Sequence, residues 1–246
     1  MLKKGEELQP LGNGVSVIVS KEHHFFTDTI LLASFSKPRP NDKAVDLGTG
    51  CGTIPLLWNK ETPNKHTYAV EIQQNGADMA QRSVQMNNLQ NKITVINADL
   101  NKLKGVLPFG SFDVVACNPP YKPIGTGVVS SGQSHSIIRH ESSCTVDDAV
   151  RAASELLRFG GRFCLCLRPE RLTDVLAAFR KYSLEPKRLQ MVQQRVNKAP
   201  KLFLVEGRRG GRPGGLVTLP TLFIENSNGE YSDEMMKIYG SFKECL

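Results

Sequence analysis

No apolar stretch in this chain is long enough to cross a bilayer, and the start, Met1-Leu2-Lys3-Lys4-Gly5-Glu6-Glu7, lacks the apolar core of a secretory signal. The expectation is a cytoplasmic protein with no membrane partner. The six cysteines (Cys51, Cys117, Cys144, Cys164, Cys166 and Cys245) form no C-x-x-C pair. They read as reduced packing thiols, which leaves no zinc site and no disulfide framework to expect. Repeats and low-complexity linkers are missing too. Acids are the scarcer charge: 24 Asp and Glu against 31 Lys and Arg give a net +7, which permits an anionic partner and proves none. What remains is a chain of 246 residues, 40% hydrophobic and 22% charged, enough to bury the core of one globular domain.

Short β-branched runs closed by glycine, proline or acids mark buried strands: Lys43–Leu47, Thr67–Glu71, Ile93–Ile96, Phe112–Cys117 and Arg162–Leu167. Helical spacing lies between them, over Thr53–Trp58, Ala77–Asn87, Thr145–Leu157 and Glu170–Tyr182. Thr145 with Asp147 and Asp148 predicts a capped start, Gly160-Gly161 a helix stop, and Pro169 a helix opening. Arg188–Gln193 and Leu202–Glu206 supply two further strands. Strands alternating with helices predict an α/β fold, a mostly parallel seven-stranded sheet with helices on both faces. Residues 1–40, with a β-like run Gly14–Val19 and a short helix near Thr27-Asp28, read as an N-terminal extension to a domain spanning 41–246.

In such sheets ligands bind at the carboxyl ends of the strands. Asp46 runs into Gly48-Thr49-Gly50-Cys51-Gly52, a turn where backbone can approach a ligand closely. Its G-x-G-x-G spacing, with Thr53 in the last place, is not the dinucleotide fingerprint. Glu71 ends the next strand, a place for an acid that accepts from ribose hydroxyls or for a solvated surface residue. Asp99 closes the third as an adenine contact or a turn residue. The fourth strand ends in Asn118-Pro119-Pro120-Tyr121. Proline restrains the residue before it, so the Asn118 amide and the Pro119 carbonyl can face one space as acceptors for a planar amine. The plainer alternative is a turn with a local Asn cap.

Asp46 with its glycine loop, Glu71, Asp99 and Asn-Pro-Pro-Tyr together resemble class I S-adenosylmethionine-dependent methyltransferases acting on amino nitrogens. Phe26–Leu32, Asp46–Gly52, Asn118–Tyr121, Ile138-Arg139-His140-Glu141, Arg168–Leu172 and Glu230-Tyr231-Ser232 occur in the order of the bacterial valine-tRNA adenine-N6 methyltransferase family. That family methylates the adenosine on the 3′ side of the anticodon. The resemblance spans Leu8 to Gly240 and implies a Rossmann-like fold, S-adenosylmethionine as cofactor and tRNA as partner, with no stable protein partner. It implies that Gly48, Gly50, Cys51 and Gly52 wrap the methionine end. Glu71 would take the ribose and Asp99 with Leu100 the adenine, while Thr27 and Asp28 close over them; Asp46, Ile72 and Asn118 complete the set. Asn118, Pro119, Pro120 and Tyr121 are the implied catalytic group, with Tyr121 stacking on a flipped base.

For the RNA itself the candidates are Arg139, His140 and a basic arm over residues 186–215. There eight Lys or Arg, among them Arg195, Lys198, Arg208, Arg209 and Arg212, stand against the single acid Glu206. Asn-Pro-Pro-Tyr is shared with protein-glutamine and ribosomal-guanine methyltransferases, so both remain alternatives. The former carry a helical domain for which the first forty residues leave no room. An RNA-binding scaffold on the same fold is the non-enzyme alternative, and such proteins typically lose the cofactor acids or the Asn.

Overall fold

The computed structural model describes residues 2–61, 65–119 and 144–240. An antiparallel hairpin of β1 (Glu6–Gly12) and β2 (Val15–Ser20) leads into α1 (Thr27–Ser36). Then come β3 (Lys43–Leu47), α2 (Thr53–Glu61), β4 (His66–Glu71), α3 (Gln74–Met86), β5 (Ile93–Asn97) and β6 (Phe112–Cys117). After Cys144 follow α4 (Val146–Leu156), β7 (Leu157–Leu167), α5 (Leu172–Lys181), β8 (Leu184–Gln193), β9 (Pro200–Arg209), β10 (Val217–Thr218), β11 (Leu222–Phe223) and α6 (Asp233–Tyr239). The sheet order is β10-β8-β9-β7-β6-β3-β4-β5, with β11 also on β8. Seven long strands form the body, and β10 and β11 are two-residue additions to its edge. β3 to β7 run parallel, whereas β9 runs antiparallel to both β7 and β8.

Alternation along the strands assigns the two faces. Ala44, Val114, Ala116, Cys164 and Cys166 pack with Leu31, Leu32, Leu56, Trp58 and Met79 of α1, α2 and α3. Val45, Leu47, Val115, Phe163 and Leu165 pack with Val150, Leu156, Val175 and Phe179 of α4 and α5. Helices thus cover both faces, as expected of strands buried on two sides. α1 belongs to this core, since Leu31 is 1% and Leu32 0% exposed.

Three local expectations are corrected. β1 went unread because its burial is almost all on the exposed side; Arg82 of α3 holds it instead, donating to Glu6 Oε1 at 2.6 Å and Oε2 at 2.8 Å. Gly160-Gly161 does not stop a helix. α4 ends at Leu156 and β7 starts at once, with the glycines inside the strand at an irregularity against β6. A Cβ on Gly161 would lie 2.8 Å from the Phe112 carbonyl oxygen, so the close approach of the two strands requires glycine. Pro169 opens a single 3-10 turn, Pro169–Arg171, before α5. The Thr145 cap forms as read: Thr145 Oγ1 accepts from Asp148 N at 3.1 Å, and the Asp148 carboxylate accepts from Thr145 N, also at 3.1 Å.

Candidate active site

Strand register brings the carboxyl ends together. Leu47 pairs with Cys117 on one side and Val70 on the other, so Gly48 sits between Asn118 and Glu71 on adjacent strands about 4.8 Å apart. Asp46 shares the face of Ala44 and is 1% exposed. Neither of its carboxylate oxygens has a hydrogen-bond partner among the described residues. Burial drives its pKa up to about 7; the nearby Thr49 hydroxyl pulls it back in part without reaching hydrogen-bond geometry, and the Glu71 charge adds to the rise. A buried carboxyl left this way lacks a cation.

The glycine loop turns over Asp46. The Gly48 and Thr49 amides both donate to the Val70 carbonyl at 2.9 Å. Gly48 and Gly50 have φ of +74° and +56°, and a Cβ on either would meet no described residue within 4 Å, so among the described residues nothing fills the space above the loop. Gly52 faces inward: a Cβ there would lie 3.1 Å from that of Ala80, which lets the loop sit down on α3. Cys51 is 3% exposed, and burial raises its thiol pKa, so it packs beneath the loop and presents no nucleophile. Glu71 is fixed, with Oε2 accepting from Gly50 N and Oε1 from Gln73 N, each at 2.8 Å. It shapes the loop as well as lining it. Ile72 beside it is 45% exposed. Asp99 caps the 3-10 turn Leu100–Lys102 by accepting from Asn101 N at 2.9 Å, and both Asp99 and Leu100 are half-buried.

Asn118 continues the alternation of Val114 and Ala116 and so faces α1. Its Nδ2 donates to Thr29 Oγ1 at 3.2 Å, and the Thr29 hydroxyl lies 3.3 Å from Asp28 Oδ1, which also accepts from Thr29 N at 2.7 Å. The cap of α1 is Phe26, without a side-chain bond, so Asp28 serves this chain of bonds and not the helix start expected of Thr27 or Asp28. Thr27 meets the Tyr239 hydroxyl, tying α6 to α1. Thr29 is the residue that sequence reasoning missed; its partner lies 89 positions away. Pro119 is buried behind Asn118. Pro120, Tyr121, Arg139 and His140 lie outside the described residues.

The basic stretch 186–215 is not one arm. It is β8, β9 and the turns after each, and the antiparallel pairing sends its charges to opposite edges. Arg195 and Lys198 lie in the turn after β8, on the edge where β7 ends, and Arg195 is paired to Glu225. Arg208 and Arg209 pair with the beginning of β8 at the other edge, and Arg212 follows them.

The residues fit S-adenosylmethionine. A buried carboxylate without a described partner suits its cationic methionine end, the two glycines with no described neighbour give that end room, and the strand-end acid Glu71, fixed by Gly50 N and Gln73 N, keeps lone pairs for hydroxyl donors such as those of a ribose. Comparison with known proteins agrees. The family model "Methyltransferase small domain" matches residues 18–171. A tRNA1(Val) (adenine(37)-N6)-methyltransferase of Porphyromonas gingivalis is 26% identical over 223 residues, covering 88% of this chain and 87% of that protein. One of the same name from Aliivibrio salmonicida is 25% identical, covering 88% of each. Among solved structures, a predicted O-methyltransferase from Agrobacterium tumefaciens superposes with a TM-score of 0.71 at 21% identity, covering 87% of this chain and 96% of that one.

Proposed function

The chain belongs to the methyltransferase small domain family and takes S-adenosylmethionine as its cofactor, and from that premise we propose that it methylates the N6 of adenine in tRNA, at the adenosine beside the anticodon of a valine tRNA. The observation that carries the reading is the Asn118 amide, tied through Nδ2 to Thr29 at the carboxyl end of β6, one strand from the glycine loop. That bond assigns the amide's donor end and turns its acceptor end, Oδ1, the other way. The names of the two relatives speak for adenine and for tRNA.

When bound, the cofactor supplies a methyl group on a positively charged sulfur. An exocyclic adenine nitrogen is a poor nucleophile because its lone pair is delocalised into the ring. Asn118 Oδ1 and the Pro119 carbonyl accept from its two hydrogens, favour a tetrahedral nitrogen and stabilise the positive charge that grows there. Methyl transfer to this nitrogen, with the thioether as leaving group, would leave it one proton in excess, which would pass from the Asn118 and Pro119 acceptors to solvent. Thr29 and Asp28 position the amide, while Asp46 and Glu71 would hold the cofactor.

Incubating the purified enzyme with cofactor and a valine tRNA transcript, then digesting to nucleosides for mass spectrometry, tests this reading. N6-methyladenosine at the position after the anticodon is expected. Methylated guanosine, or methyl transfer to protein glutamine with none to tRNA, overturns it.

A further inference from the structure

We propose that the amino edge of the sheet, opposite the methyl-transfer site, is a second RNA-contact surface: a basic ledge around Phe159 that binds the phosphate backbone of the same RNA. The proposal rests on the tRNA reading above. Phe159 stands on β7 beside the glycines and is 79% exposed. A phenyl ring left in water forgoes the stabilisation that burial would bring. This ring is nevertheless held in place. It lies on Gly210, where a Cβ would be 2.3 Å from Phe159 Cε2, so the backbone after β9 comes right up beneath it. Clefts of about 370 and 440 Å³ flank the ring.

The charge around it is unbalanced. Arg39, Arg158, Arg162 and Arg208 line the first cleft against Asp42 and Asp113, and Arg209 lines the second. The acids are already engaged. Asp113 accepts from Lys43 N at 2.8 Å and from Arg158 Nε at 2.5 Å. Glu206, 1% exposed, faces three guanidinium groups: Arg188 at 3.0 Å, Arg162 at 3.6 Å and Arg208 at 3.7 Å. Arg162 also reaches Asp42 at 3.7 Å and the Lys37 carbonyl at 2.6 Å, but Arg39, Arg158, Arg162, Arg188 and Arg208 together still outnumber Asp42, Asp113 and Glu206, and the longer pairs exceed charge-assisted hydrogen-bond length. The Arg208 side chain is 49% exposed and the Arg158 side chain 54%, so both present donors outward. Arginine forks beside an open aromatic face match phosphates with an adjacent base, the chemistry of single-stranded RNA contacts. A strand of six residues spans roughly 20 Å, so one RNA can reach both edges of the sheet.

The test uses the full-length enzyme and tRNA, comparing wild type with Arg39→Ala/Arg158→Ala and with Phe159→Ala, after matched melting curves. The arginine pair should lower the slope of log affinity against log salt by about 1.4–1.8, since each phosphate contact contributes roughly 0.7–0.9. It should raise the KM for tRNA about tenfold, with kcat at saturating tRNA and S-adenosylhomocysteine affinity unchanged. Phe159→Ala should weaken tRNA binding several-fold at an unaltered slope. A wild-type enzyme that methylates tRNA beside variants with its own slope and KM overturns the surface alone. A wild-type enzyme that methylates no tRNA overturns the function on which it rests.

Discussion

At the carboxyl edge of the sheet one buried carboxylate goes without a described partner, whereas at the amino edge arginines outnumber the acids and several reach solvent. Asp46 is sealed beneath the glycine loop with both oxygens unpartnered among the described residues, while Glu206 collects three arginines and Arg158 pairs with Asp113 in half-open water. A buried carboxylate without a cation costs several kcal/mol unless it takes up a proton. On the proposed reading, the cationic end of the cofactor would supply the partner that Asp46 lacks. Exposed pairs cost little and stabilise little, which leaves the amino edge able to attract phosphate at long range.

The comparison breaks first at Asn118. If the carboxyl edge is organised for the reaction, Asn118→Ala should slow single-turnover methylation at saturating tRNA by about 10²–10³, the usual loss for one preorganised partner of developing charge. S-adenosylhomocysteine affinity and melting temperature should hardly move. A near-normal rate would make Asn-Pro-Pro-Tyr only a turn.

Thr29 sharpens the same contrast at smaller scale. Thr29→Val keeps the shape and removes the hydroxyl that accepts from Asn118 Nδ2. About a tenfold loss in kcat is expected, equal to 1.4 kcal/mol, with cofactor affinity intact. Thr29→Ser should restore most of it, which a role in packing alone would not predict.

The smallest effect belongs to the amino edge. Arg158→Ala removes a pair whose arginine is 54% exposed, and denaturant titration should show a stability loss of at most about 1 kcal/mol. A larger loss would mean that this edge, too, is structural.

Much of this could be read from sequence, and the exceptions share a cause. β3 and β6 were legible to the residue because β-branched runs end in glycine or proline, and Asp46, Glu71 and Asn118 fall at strand ends by simple counting. Local rules failed where a distant partner decides. Gly161 looks like a helix stop until the Phe112 carbonyl is placed against it, and polar β1 is a strand because it pairs with β2, with Arg82 gripping Glu6 at its start. Thr29 joins Asn118 only after the chain has folded. The basic stretch looks like one arm in linear order, and the β8–β9 pairing divides it between two edges.

If a cation completes Asp46, ligand binding and the protonation of Asp46 must be linked. Its pKa of about 7 stands above the ordinary carboxyl value of 3.8, so the folded protein without ligand holds this proton more tightly than the unfolded chain. Ionised Asp46 therefore costs stability that is untouched below 3.8 and fully lost above about 7. A cationic ligand reverses the preference and expels the proton. Calorimetric titration with S-adenosylhomocysteine, whose amino group is positive, should show affinity rising with pH by up to tenfold per unit below about 7 and levelling above it, with proton release on binding below 7. Asp46→Asn should bind more weakly and lose that slope. Affinity independent of pH in the wild type, or an Asp46→Asn variant binding as tightly with the same slope, would contradict the account.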